Sequence, residues 1–109
     1  MSDLLDIQGG LARVGNNEGL LKRLLAKFET SVDMEGFEAA LAEKDYVKAG
    51  EIVHAAKGIA GNLSLTALFE ISSVLMEELR GGGTPVDEDV VKFRQLFEET
   101  KVAVNEYLG

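Results

Sequence analysis

The chain has 109 residues, of which 19 are acidic and 11 are basic, so its formal net charge is −8. This length fits one domain with one core, and the absence of cysteine excludes disulfides, thiolate metal sites and thiol nucleophiles. The negative charge disfavours nucleic acid as a partner, and the sequence has neither a signal-peptide pattern nor the roughly 18 apolar residues of a membrane span. We therefore expect a cytoplasmic protein that does not bind nucleic acid or membrane.

Apolar residues recur at spacings of three and four along most of the chain, a pattern typical of amphipathic helices. The predicted helices cover residues 8–14, 17–42, 45–62, 64–80 and 85–107. Residues able to cap a helix stand at the start of the four long segments, namely Asn16–Asn17, Asp45, Ser64 and Thr84. The glycine triplet Gly81–Gly83 marks the end of the fourth helix, and Pro85 has the first position of the last one, where proline is favoured. Gly36 is a weak point in the second segment.

Four amphipathic helices with short connections predict an all-α fold, an antiparallel up-and-down four-helix bundle with a short additional N-terminal helix. The bundle is expected to form a single domain over residues 1–109. Most Met and Phe residues are predicted to lie in the core, whereas the acidic pairs Glu77–Glu78 and Glu98–Glu99 are predicted to be solvated.

The single histidine, His54, falls in the third of these predicted helices. On a wheel of about 100° per residue, Lys57, Gly58 and Gly61 lie within roughly 60° of it, Gly50 lies on the same side, and the apolar residues cluster elsewhere. Each glycine inside a helix costs about 0.5–1 kcal/mol relative to alanine. Three of them on one face indicate either a flat docking surface around an exposed imidazole or the close approach of a neighbouring helix.

The residues next to His54 suit phosphoryl chemistry. A neutral imidazole is a competent nucleophile at physiological pH. Lys57, one helical turn further along, can offer a compact positive charge to a phosphoryl group at the ring. The sequence contains no glycine-rich loop that resembles an ATP-binding motif.

The stretch His54–Leu63, HAAKGIAGNL, resembles the phosphorylation motif of histidine-containing phosphotransfer (HPt) domains, whose core is His-x-x-Lys-Gly. The segment Gly10–Gly15, with the leucine pairs and Phe28 that follow it, is similar to the amino-terminal segment of the same family, so that the likeness covers nearly the whole chain. Ala56 departs from the larger aliphatic residue that is common in the family, and Ser64 departs from the usual glycine. These departures affect the choice of partner more than the reaction.

The resemblance implies that His54 is the phosphoryl acceptor, that Lys57 stabilises phosphoryl charge and that Gly58 gives a partner access to the ring. Gly50 and Gly61 would be further small residues of the docking face. Transfer would run reversibly between His54 and the aspartates of response-regulator receiver domains, with a hybrid histidine kinase as another candidate partner. The chain would be a monomeric carrier, not an enzyme, and would bind no cofactor, since Mg²⁺ would be held by the receiver.

Other interpretations stay open. Glu51-Ile52-Val53-His54 matches the Glu-x-x-His element of di-iron bundles, but those sites need two such elements with inward-facing ligands. An HPt-like module could instead bind and regulate a receiver or histidine kinase without being phosphorylated. A stand-alone carrier and a piece of a hybrid kinase would look alike at this length, although Met1 and the end of the chain at Gly109 favour the stand-alone protein.

Overall fold

A computed structural model describes residues 3–109, and all regular elements in this range are helical. The α-helices are α1 (Ile7–Arg13), α2 (Glu18–Ser31), α3 (Met34–Ala42), α4 (Tyr46–Leu63), α5 (Thr66–Leu79) and α6 (Asp87–Leu108). A short 3₁₀ turn, Arg80–Gly82, follows α5. The predicted all-α class is confirmed for this part of the chain.

The prediction of one helix over residues 17–42 is wrong, because the structure divides this segment into α2 and α3. Val32 leaves the helical conformation, with φ −108° and ψ 116°. Asp33 then begins α3 by accepting a hydrogen bond from the Gly36 backbone N–H at 2.8 Å. The cap satisfies an amide that has no partner inside the new helix. Gly36 therefore lies in a first turn and not in the middle of a long helix.

The predicted role of Ser64 as the cap of α5 is also wrong. Ser64 ends α4 in the left-handed conformation, with φ 59° and ψ 40°, and its backbone N–H donates to the Ala60 carbonyl. This is the conformation in which many helices end, although glycine is the residue that adopts it most readily. α5 begins two residues later, at Thr66, without a side-chain cap.

The last helix begins later than the predicted residue 85. Pro85 is buried before the helix, and α6 begins at Asp87. Val86, and not Thr84, precedes the helix, and no side chain caps it. The backbone N–H of Val86 donates to Glu78 Oε1 on α5 at 2.7 Å. Glu78 is consequently half-buried, in contrast to the predicted solvated position.

The core lies between α4 and the helices around it. α4 contacts α1, α2, α3 and α5, and α6 contacts α2 and α5. Two aromatic pairs connect α6 with the first half of the chain: the ring centroids of Phe28 and Phe97 are 5.4 Å apart, and those of Phe37 and Phe93 are 5.1 Å apart. Tilted pairs at such distances add to the apolar burial that stabilises the fold. Within residues 3–109, no helix has the length and apolar character needed to cross a membrane.

Candidate functional site

His54 lies in the middle of α4 on the face turned to solvent. Asp45 begins the helix by accepting a hydrogen bond from the Lys48 backbone N–H at 3.1 Å. One side of α4 is buried in the core through Ala49, Val53, Ala56, Ala60 and Leu63. His54 is exposed, as the helical wheel predicts, because its position points away from this apolar stripe. The imidazole is thus accessible to another protein while the helix that carries it is anchored by its opposite face.

Two shallow recesses flank the imidazole. The first, here called the apolar recess, has a volume of about 340 Å³ and lies between α4 and the end of α5. Most of its lining is apolar, namely Val47, Gly50, Met76, Leu79 and the glycines of the 3₁₀ turn, and the charged residues Glu51 and Arg80 line it together with His54. The second, here called the cationic recess, has a volume of about 360 Å³ and is lined by Arg13, His54, Lys57, Gly58, Gly61, Asn62 and Phe69. His54 is common to both, so an incoming group can contact the ring from a mostly apolar recess or from one whose charged side chains are both cationic.

Lys57 is held beside His54 by an aromatic ring. Its Nζ lies 5.7 Å from the centroid of the Phe69 ring on α5, a distance typical of a cation–π contact. The ion pairs found between described residues involve Arg80, Arg94 and Lys101, and Lys57 takes part in none of them. Its ammonium group therefore keeps its hydrogen-bond donors for a ligand.

The three glycines of the His54 face have different surroundings. A Cβ added at Gly58 would meet no atom within 4 Å, so Gly58 is open to solvent. A Cβ at Gly61 would come within 3.2 Å of the Phe69 ring, and one at Gly50 would lie 3.5 Å from the Leu79 Cβ. Gly58 is thus open, as a docking surface would require, whereas Gly61 allows the Phe69 ring of α5 to approach α4 closely, which was the structural alternative; the contact at Gly50 is an ordinary one.

The Glu-x-x-His element does not point into the bundle. Glu51 and His54 are both exposed on the outer face of α4, opposite to the inward position that di-iron ligands occupy. Over residues 3–109, no group of three or more His, Cys, Asp or Glu side chains is arranged to hold a metal ion. The cationic recess suits an anionic group, because the charged side chains that line it beside His54 are those of Lys57 and Arg13.

No family model, curated protein or solved structure matches the chain. The functional interpretation accordingly depends on the geometry around His54 and on the sequence motif.

The structure brings His54, Lys57, Gly58 and Gly61 together in the cationic recess, and Gly50 lines the apolar one. The sequence analysis missed Phe69, which is 38% exposed and not a core residue. A signal was available, because Phe69 lies one position after Leu68 and so falls outside the buried stripe of α5. Arg13 was also missed, since nothing in the local sequence relates α1 to the middle of α4.

Proposed function

We propose that this chain is an HPt domain that carries a phosphoryl group on His54 and exchanges it with the aspartates of receiver domains. The observation that carries the proposal is the combination of an exposed His54, an open Gly58 and the unpaired ammonium group of Lys57 on one face of α4. These residues coincide with the His-x-x-Lys-Gly motif. An exposed histidine by itself would not support the proposal.

The chemistry requires little from this chain beyond a nucleophile and a nearby positive charge. A ring nitrogen of the neutral His54 imidazole attacks the phosphorus of a receiver acyl phosphate in line with the leaving oxygen. The N–P bond forms, the P–O bond breaks, and the aspartate leaves as a carboxylate with the bonding electron pair. The ring becomes a phosphorylated imidazolium, and the reverse reaction restores neutral imidazole. Lys57 stabilises the charge on the phosphoryl oxygens, since positioning and electrostatics dominate such transfers.

The surface around His54 supports docking of a protein and not only of a small molecule. Val47, at the edge of the apolar recess, is 62% exposed, and the half-buried Met76 also lines this recess beside the imidazole. Apolar surface that surrounds a reactive group is typical of a protein interface. We infer that a receiver domain covers this area and places its aspartate over His54, and that the receiver supplies the Mg²⁺ and most of the groups that assist the reaction.

We further propose that the helices form an antiparallel four-helix bundle in which α2 and α3 together make one arm and α4, α5 and α6 make the others. α6 has 22 residues, which corresponds to about 33 Å of helix. This length fits the 41 Å long axis of the molecule, whose other dimensions are 21 and 19 Å. α1 would cover one end. A monomeric carrier in the cytoplasm, without an ATP-binding or kinase function, completes the proposal.

Transfer from a panel of phosphorylated receiver domains, in the presence of Mg²⁺, tests the proposal. The wild-type chain and the His54→Gln variant are incubated with each labelled receiver, and the label on the chain is tested for stability in acid and alkali. We expect an acid-labile, alkali-stable label on the wild-type chain and none on the variant. Circular dichroism of the variant checks that its helices are intact.

Two other outcomes would change the conclusion. A receiver that binds tightly but never transfers its label would favour the regulatory module, in which the same face docks a receiver or histidine kinase without accepting a phosphoryl group. A label that persists on the His54→Gln variant would place the acceptor elsewhere and refute the assignment of His54.

A further inference from the structure

The end of α1 lies beside the His54 face because α1 is fixed against the end of α4. The backbone N–H of Asp6 donates to the Ser64 carbonyl at 3.0 Å. Gly10 is buried, and a Cβ at this position would lie 3.4 Å from the Leu63 carbonyl oxygen and 3.1 Å from a Leu21 methyl group. Gly10 thus lies close to both α2 and the end of α4. The hydrogen bond from Asp6 and this packing hold α1 against the end of α4.

Arg13 lies in that last turn and lines the cationic recess together with His54 and Lys57. It is exposed, and its guanidinium group has no ion-pair or hydrogen-bond partner among the residues that the structure describes. This is notable in a chain with a net charge of −8, in which carboxylates outnumber cations. Two unpaired cations from separate helices thus border one recess at the imidazole.

We propose that Arg13 is a second phosphoryl-binding residue, which contacts the oxygens of the group carried on His54 from the side of α1. The inference rests on the proposed function and extends it by one residue outside the His-x-x-Lys-Gly motif. A guanidinium group presents several N–H donors in a plane, an arrangement that suits phosphoryl oxygens. Lys57 supplies a point charge from α4, and Arg13 supplies directed hydrogen bonds from α1.

A direct effect of Arg13 has an electrostatic signature in the phosphorylated protein. A positive charge near the phosphoryl group favours its dianion and so lowers the pKa of that group. For unit charges about 6 Å apart in water, Coulomb's law gives a shift of about 0.5 pKa unit, equivalent to about a threefold change in an equilibrium constant. The shift should shrink in 1 M salt, where the Debye length is about 3 Å.

The experiment uses the full chain labelled with phosphoramidate, a small phosphoryl donor that needs no partner protein. Phosphorus NMR then gives the pKa of the phosphoryl group in the wild type, Arg13→Gln and Arg13→Lys. Arg23→Gln is the matched control, because Arg23 is exposed on α2, lines neither recess and changes the net charge equally. We expect the pKa to rise by about 0.5 unit in Arg13→Gln, to recover largely in Arg13→Lys and to stay at the wild-type value in Arg23→Gln.

The outcomes separate this inference from the proposed function. A labelled His54 whose phosphoryl pKa is the same in wild type and Arg13→Gln would overturn the role of Arg13 and leave the carrier function intact. Equal shifts in Arg13→Gln and Arg23→Gln would also overturn it, since they would reflect net charge alone. Failure of the wild type to accept any label on His54 would contradict both proposals.

Discussion

Replacing Gly58 with alanine should make the protein more stable and a poorer phosphoryl carrier. A Cβ at Gly58 meets no atom within 4 Å, so the substitution costs no packing energy in the free chain. Glycine inside a helix is about 0.5–1 kcal/mol less favourable than alanine. At about 2.1 cal/mol/K of unfolding entropy per residue, this gain corresponds to a rise of about 2–4 °C in Tm for a chain of this length.

The loss of function has a different cause, because the added methyl group lies one turn from His54 on the face that a receiver must cover. Displacing the reacting atoms by about 1 Å can reduce the rate of a positioned reaction about a hundredfold, so we expect transfer to fall ten- to a hundredfold. Gly19→Ala is the control: Gly19 is exposed on α2, and a Cβ there makes an ordinary 3.5 Å contact with the Asn17 side chain. Thermal unfolding and receiver-to-chain transfer are measured for both variants. A Gly58→Ala chain that is stabilised and still transfers at the wild-type rate would refute the proposed role of Gly58.

Two further predictions concern the fold. The Thr100 hydroxyl is fully buried and has no hydrogen-bond partner in the described part of the chain. Thr100→Val should therefore raise the free energy of unfolding, measured by urea denaturation, by about 1 kcal/mol. A loss of stability would reveal a hydrogen bond at this site. Burial, and then a hydrogen bond with Asp89, raises the pKa of the Glu78 carboxyl above its usual 4.5. The fold thus favours the protonated carboxyl, and this contribution to stability is lost as pH rises through the raised pKa. Glu78→Gln should therefore gain stability relative to wild type as pH rises above 4.5, and parallel pH profiles would contradict this expectation.

The all-α class and most helix positions followed from the sequence because they depend on local periodicity. The break between α2 and α3 did not, since Val32 continues the apolar spacing of α2 and is buried with it. The hydrophobic pattern therefore runs through the break without interruption. Asp33, which caps α3, was the local signal that the segment contained a second helix start.

Other differences came from contacts between segments that are distant in sequence or from an uncommon backbone conformation. Val86, just before α6, donates a hydrogen bond to Glu78 of α5, a contact that a pattern read along one helix does not reveal. Ser64 was assigned to the wrong helix end, because serine is typical of a helix start whereas its positive φ here ends α4.

The residues of the candidate site also form two groups: those that local sequence places and those that only tertiary packing brings together. His54, Lys57 and Gly58 lie within one and a half turns of α4, so the helical wheel was sufficient to place them on one face. Arg13 and Phe69 belong to α1 and α5, and only tertiary packing brings them to the same recess.

The most direct test of the central claim is the return of the phosphoryl group from His54 to a receiver. The chain is phosphorylated, freed of its donor, and shown by peptide mapping to carry the label on His54. It is then mixed with an unphosphorylated receiver that binds it, with and without Mg²⁺. The account predicts that the label moves to the receiver aspartate only when Mg²⁺ is present, and that the chain is left unphosphorylated. Label that stays on His54 in the bound complex with Mg²⁺, or that is lost only to water, would contradict the carrier function.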